Sequence, residues 1–168
     1  MIISPDHLLE QAERLTVRQS GGAPRQVDLR RAISSAYYGL FHAVLTEAAD
    51  TMLGKKDRNT PAYELIYRSI KHDSVRKVCE SVRNPNLPLR LAKYQPPGGF
   101  GAELQTFAEE VIERQGKRHA ADYDPLFRVR TSDVNVAVRE ARTALDEFRK
   151  ASVNQRKAFV LLVLFSRR

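Results

Sequence analysis

Residues 114–125 of this sequence contain side chains whose chemistry exceeds what a scaffold needs. The stretch reads RQGKRHAADYDP, and its reactive members are Arg118, His119, Asp122 and Tyr123. An imidazole can take a proton from a ribose 2′-hydroxyl or return one to a leaving oxygen, and a guanidinium can stabilise the negative charge that grows on phosphorus. A phenol can donate a hydrogen bond to phosphate. These four residues are therefore candidates for a catalytic site, with Arg118 for charge stabilisation and His119 for proton transfer.

Asp122 supports two interpretations of the same residues. Near the C-terminal end of a helix its negative charge is disfavoured by the helix dipole, so a cation should lie close to it. Asp122 could orient a histidine or pair with an arginine in a catalytic site. A network of arginine, aspartate and tyrosine could also simply lock the helix end to a neighbouring helix. Local chemistry leaves both interpretations open.

The predicted site lies at the end of a helix whose earlier turns are apolar. Leu104, Phe107 and Val111 recur at helical spacing after a start near Ala102, which predicts a face packed in the core. Pro125 has no backbone donor, so the helix should end just before it. The same face therefore changes from apolar to polar as it reaches the site.

A longer second helix, predicted to begin near Val27, should carry the opposite wall of the site. Its apolar residues recur at three- and four-residue steps, as a core helix requires, and are Ile33, Tyr37, Leu40 and Val44. A polar stripe runs beside them. The members of this stripe are Arg31, Ser35 (or Ser34), Tyr38 and His42. They either make hydrogen bonds at a helix interface or support the site at Arg118.

Start signals predict the helices of the first half of the chain. Ser4-Pro5 predicts a first helix that runs to about Val17, and Thr60-Pro61 predicts a third. In both cases a capping hydroxyl precedes a proline at the first helical position. These signals place short helices on either side of the long second one.

Further along the chain, a sixth helix should be capped by Ser132 or Asp133, and a terminal helix should pass through Phe159. Arg68 and His72 lie four residues apart, so they could act together, although a solvated helix face is the favoured interpretation. No segment shows the alternation of a strand longer than about four residues. We predict a single domain, residues 1–168, folded as an all-α, up-and-down helical bundle of about six to seven helices.

Composition restricts the class of protein. The net charge of +8 should attract nucleic acid or another polyanion. The one cysteine, Cys79, cannot form an internal disulfide, and no secretory signal is readable, so we predict a cytoplasmic protein. The apolar run at residues 158–165 is far below the roughly 18 to 20 residues of a membrane span. No zinc spacing and no phosphate-binding loop occurs, so we predict no metal, no cofactor and no membrane partner.

Two motifs together resemble those of the HEPN superfamily of small all-α domains. They are DLRRAISSAYYGLFHAV, residues 28–44, and RHAADYDP, residues 118–125. The closest resemblance is to the subgroup whose second helix reads RR-A-x-S-x-A-YY-x-x-F-H and whose later helix ends R-x-x-A-D-Y. The resemblance spans roughly residues 8–148. It implies an up-and-down bundle that forms a homodimer, with the arginine motifs of the two protomers facing each other.

The resemblance also implies a function. Many HEPN proteins are metal-independent endoribonucleases, either toxins neutralised by a nucleotidyltransferase-type antitoxin or effectors of phage defence. Their signature is an arginine, a polar residue, and a histidine some four to six residues after the arginine. Here Arg118 and His119 take the first two places and Tyr123 stands at the third, while a second register pairs Arg114 with His119. We expect an RNA-cleaving enzyme; the alternative is a non-catalytic HEPN module that binds a nucleotide or a protein.

Overall fold

A computed structural model describes residues 2–17, 22–84 and 89–165 of the chain. Every regular element in these ranges is a helix, and the predicted all-α helical bundle is confirmed. The elements are α1 Pro5–Leu15, α2 Gln26–Leu53, a 3-10 turn Lys55–Asp57, α3 Pro61–Ser69, α4 His72–Arg83, the single turn α5 Leu89–Ala92, α6 Gly101–Tyr123, α7 Thr131–Lys150 and α8 Val153–Phe165.

Helix α2 is the central element, since it packs against α1, α3, α6, α7 and α8. Its predicted apolar face is confirmed, because Ile33, Tyr37, Leu40 and Val44 are almost completely buried. A Cβ atom added to Gly39 would lie only 3.0 Å from the side chain of Leu9. The absence of a side chain at this position therefore lets α1 approach α2 closely.

The predicted starts of α1 and α3 at Pro5 and Pro61 are correct, but the Ser4 side chain makes no capping hydrogen bond, and the predicted cap of α7 is wrong. Thr60 accepts a hydrogen bond from the Tyr63 backbone N–H, as a cap should. Helix α7, however, begins at Thr131, and no side chain caps its start. The Ser132 hydroxyl instead donates to the Asp133 carboxylate over 3.3 Å, so neither predicted residue is the cap.

Helix α1 ends at Leu15, two residues before the predicted Val17. The Thr16 hydroxyl donates to the Glu13 carbonyl over 2.7 Å, and the Thr16 N–H donates to the same oxygen over 3.1 Å. These two bonds satisfy a carbonyl at the helix end and close the last turn. The early end of α1 is therefore a local capping effect that apolar spacing does not report.

The last helix, α8, carries the apolar run of the sequence. Phe159, Val160, Leu162 and Val163 are buried in the core, so the predicted terminal helix through Phe159 packs inside the bundle. None of the described helices is both long and apolar enough to cross a bilayer. The run is therefore core-forming within the described residues.

Helix α6 ends at Tyr123, just before Pro125, as predicted. It packs against α2, α4 and α7, and Leu104, Phe107 and Val111 are fully buried. The apolar half of α6 thus anchors the helix in the core, while its last turns reach the surface with the predicted site residues.

Arg114 is buried completely between α6 and α7, although the second motif register assigns it to the site. Its Nε lies 2.6 Å from Glu110 Oε1, and its Nη2 lies 2.6 Å from Glu113 Oε1 and 3.4 Å from Glu140 Oε2. Burial raises the pKa of Glu110 to about 7, against the opposing charge of Arg114. Arg114 is thus held among three carboxylates inside the bundle.

Replacing Arg114 with alanine should lower the free energy of unfolding by about 3–5 kcal/mol, because a mostly buried carboxylate would lose its partner. Urea denaturation measures this loss. The matched control is Arg68→Ala, which removes an exposed ion pair to Glu64 and should cost no more than about 1 kcal/mol. Wild-type stability in the Arg114→Ala variant would contradict the structural role and favour the register that pairs Arg114 with His119.

Candidate functional site

Arg118 is the centre of the candidate site, where the end of α6 meets α2. Its Nη2 donates to the Tyr38 hydroxyl over 2.7 Å, and its Nε lies 2.8 Å from Asp122 Oδ2. The Nε–H does not point along a hydrogen bond, so the contact with Asp122 is mainly electrostatic. Only 16% of the Arg118 side chain is exposed. The guanidinium is therefore held in one position at the edge of the bundle.

Asp122 also contacts α2 directly, through a serine. The Ser34 hydroxyl donates to Asp122 Oδ1 over 2.6 Å. Ser35, the serine we favoured, lies elsewhere and donates to Gln11 of α1 over 3.2 Å. Consecutive helix residues point about 100° apart, so only one of the two serines can share the stripe of Tyr38. The alternative Ser34 is thus the one at the site.

The cation expected near the end of α6 is present twice, as Arg118 and as Arg30. Arg30 donates to the backbone carbonyls of Ala121 and Asp124 over 2.7 and 2.8 Å. It therefore caps the C-terminal end of α6 from α2, where positive charge is favourable. Arg31, which we assigned to the polar stripe, is exposed instead. The adjacent pair Arg30-Arg31 in the sequence indicates a cation on this part of α2, but it does not indicate which of the two faces the end of α6.

His119 and Tyr123 lie on the outer face of the same helix end. Their ring centroids are 5.1 Å apart, and Tyr123 is 65% exposed. The guanidinium carbon of Arg118 lies 5.8 Å from the Tyr123 ring centroid, so the outer face of α6 adjoins the part of the site that contacts α2. The structure thus brings Arg118, His119, Asp122 and Tyr123 together, with two of them fixed and two facing solvent. Arg114 does not join them.

Two further histidines, His42 and His72, lie around the ring of Tyr38. His42 Nδ1 is 2.5 Å from the Tyr67 hydroxyl, and His72 Nδ1 is 2.7 Å from the Tyr37 hydroxyl. His42 belongs to the predicted polar stripe. His72 was assigned to a solvated face together with Arg68, and this assignment is wrong for the histidine.

The His72 ring is half-buried and stacks on Phe41 at a centroid distance of 4.0 Å. Arg68 is exposed and pairs with Glu64. The two residues therefore do not act together. Phe41 stands in the core stripe of α2, and no local sequence signal connects that stripe with the first residue of α4.

Burial and nearby charge set the protonation of these groups. Burial lowers the pKa of His42 and of His72; the other histidine adds to the effect at His42, and Arg118 adds to it at His72. For Arg118, burial would lower the pKa, but the bond to Tyr38 and the charge of Asp122 outweigh it and raise the pKa. The site therefore combines a permanent cation with two imidazoles that are mainly neutral at neutral pH. No group of three or more potential metal ligands occurs among the described side chains.

The contribution of His42 and His72 to the free energy of unfolding should decrease as the pH falls from about 7 to about 5.5. The folded-state pKa values of both lie below the ordinary 6.5, so the unfolded chain binds more protons at these groups in this range. Their contribution is complete above pH 6.5 and is lost as the pH drops, whereas Glu110, with its pKa raised to about 7, gains a proton in the folded protein and contributes in the opposite direction. Urea denaturation at constant ionic strength should show that the His42→Gln/His72→Gln variant loses less stability than the wild type over this range, and an equal pH dependence of the two proteins would contradict the assignment.

Comparison of the chain with protein-family models, with curated proteins and with solved structures finds no match in any of the three. The resemblance to HEPN proteins thus stands on its two motifs. What the structure adds is their placement, since the first motif lies on α2 and the second ends α6, and Tyr38 and Arg118 join them directly. The roles of the site residues must be argued from this geometry.

Proposed function

We propose that this protein is a metal-independent endoribonuclease of the HEPN type, acting as a toxin or in phage defence. The observation that carries the proposal is the fixed guanidinium of Arg118 beside the exposed pair His119 and Tyr123. A permanent cation next to an accessible imidazole is the combination that cleavage of a phosphodiester requires. The net charge of +8 favours the approach of RNA.

The reaction follows from the roles of these groups. His119 takes the proton from the ribose 2′-hydroxyl, and the 2′-oxygen forms a bond to the adjacent phosphorus. The bond from phosphorus to the 5′-oxygen breaks, and that oxygen takes a proton from the imidazolium or from water. Arg118 stabilises the negative charge on the phosphoryl oxygens, and Tyr123 donates a hydrogen bond to one of them. The products are a 2′,3′-cyclic phosphate and a 5′-hydroxyl.

Tyr38, Ser34 and Asp122 act as positioning residues in this scheme. Tyr38 and Asp122 hold the guanidinium from two sides, and Ser34 holds the carboxylate. Ser34 is buried and Tyr38 is half-buried, so the Arg118 guanidinium keeps its position when RNA replaces the surrounding water. This order before binding is what electrostatic stabilisation of a transition state needs.

The second candidate function is a non-catalytic HEPN module that binds a nucleotide or a protein. One observation favours it. The contacts of Arg118 with Tyr38 and of Asp122 with Ser34 hold the end of α6 against α2, as expected if these residues form a purely structural network. In this case the site would bind without cutting. Loss of Arg118 would then change stability or binding and leave no cleavage to lose.

The proposed partners are RNA, a second copy of the chain and a nucleotidyltransferase-type antitoxin, in the cytoplasm. Tyr123, whose ring centroid lies 5.8 Å from the guanidinium carbon of Arg118, is 65% exposed, and Leu126, three residues after the end of α6, is 84% exposed. Exposed aromatic and aliphatic side chains of this size favour a protein contact. A homodimer that uses this end would bring two copies of the arginine motif together.

Purified protein should cleave a mixed RNA pool in the presence of EDTA, and the Arg118→Ala/His119→Ala variant should be at least about 100-fold slower. Gel analysis of the RNA measures the rate. The matched control is Arg14→Ala/His7→Ala, which removes the same residue types from the exposed face of α1 and should cut like wild type.

Circular dichroism must show that both variants are folded. Equal cutting by all three proteins would indicate a contaminating nuclease. Silence of the wild type would remove the catalytic proposal and leave the binding module.

A further inference from the structure

Three groups with basic nitrogens surround the ring of Tyr38. The ring centroids of His42 and His72 lie 6.3 and 6.1 Å from its centroid, and the guanidinium carbon of Arg118 lies 5.3 Å from it. They come from three helices, α2, α4 and α6. Their convergence on one aromatic ring places three potential hydrogen-bond donors close together.

Each imidazole is held through Nδ1, and its Nε2 has no hydrogen-bond partner among the residues that the structure describes. The Tyr67 and Tyr37 hydroxyls contact Nδ1 of His42 and His72, respectively. When a hydroxyl donates to Nδ1, the proton of the neutral ring must sit on Nε2, which then becomes a donor. Both rings are half-buried, so their orientation is limited while an edge remains accessible.

The distances leave room for a small tetrahedral anion to reach both rings. The His42 and His72 centroids lie 6.0 and 4.0 Å from the Phe41 centroid, so they are at most about 10 Å apart. Two hydrogen bonds to different oxygens of one phosphate can bridge nitrogens up to roughly 8 Å apart, a separation within this limit. Arg118 adds a third donor, because its Nη1 has no hydrogen-bond partner in the described part of the chain.

The charges around this cluster are nearly balanced while both imidazoles are neutral, and they become positive in sum when the rings gain protons as an anion binds. Helix α4 begins at His72 without a side-chain cap, so its partial positive charge adds to that of Arg118. The carboxylates that act on the cluster are Asp73, which raises the pKa of His72, and Asp122. Asp122 is already bound by Ser34 as well as by Arg118. One guanidinium, a helix N-terminus and two titratable rings thus face two carboxylates.

We propose that His42, His72 and Arg118 form a phosphate-binding site on the ring of Tyr38. The ligand class is the phosphate group of a nucleotide or of an RNA backbone. The inference deepens the proposed function and rests on it for the use of Arg118, but it assigns phosphate contacts to the inner histidines rather than to His119. Phosphate binding does not require cleavage, so the two proposals can fail separately.

NMR titration of the histidine ring protons tests the site, since the chain has only four histidines. Spectra are recorded from about pH 5 to 8 in inorganic phosphate and in chloride at equal ionic strength. Bound phosphate should raise the titration midpoints of His42 and His72 and leave those of His7 and His119 as in chloride, because an anion favours the imidazolium. A 2′-deoxy dinucleotide, which cannot be cleaved through a 2′-hydroxyl, then tests a phosphodiester as the source.

Two variants complete the test. Arg118→Gln should weaken phosphate binding by about tenfold or more, while Arg14→Gln, an exposed arginine on α1, should leave it unchanged. His72→Gln keeps a polar group at the start of α4 and should also weaken binding if the variant is folded. A shift confined to His119, or no difference between phosphate and chloride, would overturn the proposal. Phosphate-dependent shifts in a protein that does not cut RNA would support the site and refute the ribonuclease.

Discussion

The contact between Arg118 and Tyr38 is the interaction on which the rest of the site depends. It joins the last turns of α6 to the middle of α2, and every other group of the site is ordered relative to it. A guanidinium at the surface would be mobile and screened by solvent, whereas this one has a phenol on one side and a carboxylate on the other. The orientation of the guanidinium is thereby fixed. An outer face with His119 and an inner face with His72 share the same cation.

The helices were predictable because apolar spacing reports a core-facing surface whichever helix packs on it. The burial of one face of α2 could be predicted without knowing which helices pack on it; its residues are Ile33, Tyr37, Leu40 and Val44. The end of α6 before Pro125 could be predicted in the same way. Caps were less predictable, because a capping hydroxyl must stand just outside the helix to accept a backbone N–H of the first turn, and the sequence pattern leaves the start uncertain by a residue or two. Ser132 illustrates this, since α7 begins at Thr131 and Ser132 already lies inside the helix.

The site was predictable in outline and not in register. The motif identified Arg118 and Asp122, and helical spacing identified Tyr38, but a step of one residue decides which side chain of a pair faces a neighbour. Ser34 and Arg30 rather than Ser35 and Arg31 occupy the working positions, since α6 approaches only one side of α2. The place of His72 could not be predicted, because its partners, Tyr37 and Phe41, lie more than thirty residues away along the chain. Pairing of that kind exists only after the helices have packed.

The buried cation between α6 and α7 has a consequence for how the bundle selects a single arrangement. Apolar helix faces tolerate sliding, because one aliphatic side chain replaces another at little cost. If α7 slid by one turn, about 5.4 Å, Val136 or Ala144 would stand where Glu140 now reaches Arg114. The completely buried guanidinium would then lose one of its three carboxylate contacts. Arg114 thus favours one axial position of α7 over positions shifted by a helical turn. By fixing α7 against α6, it also keeps the outer end of α6 in place.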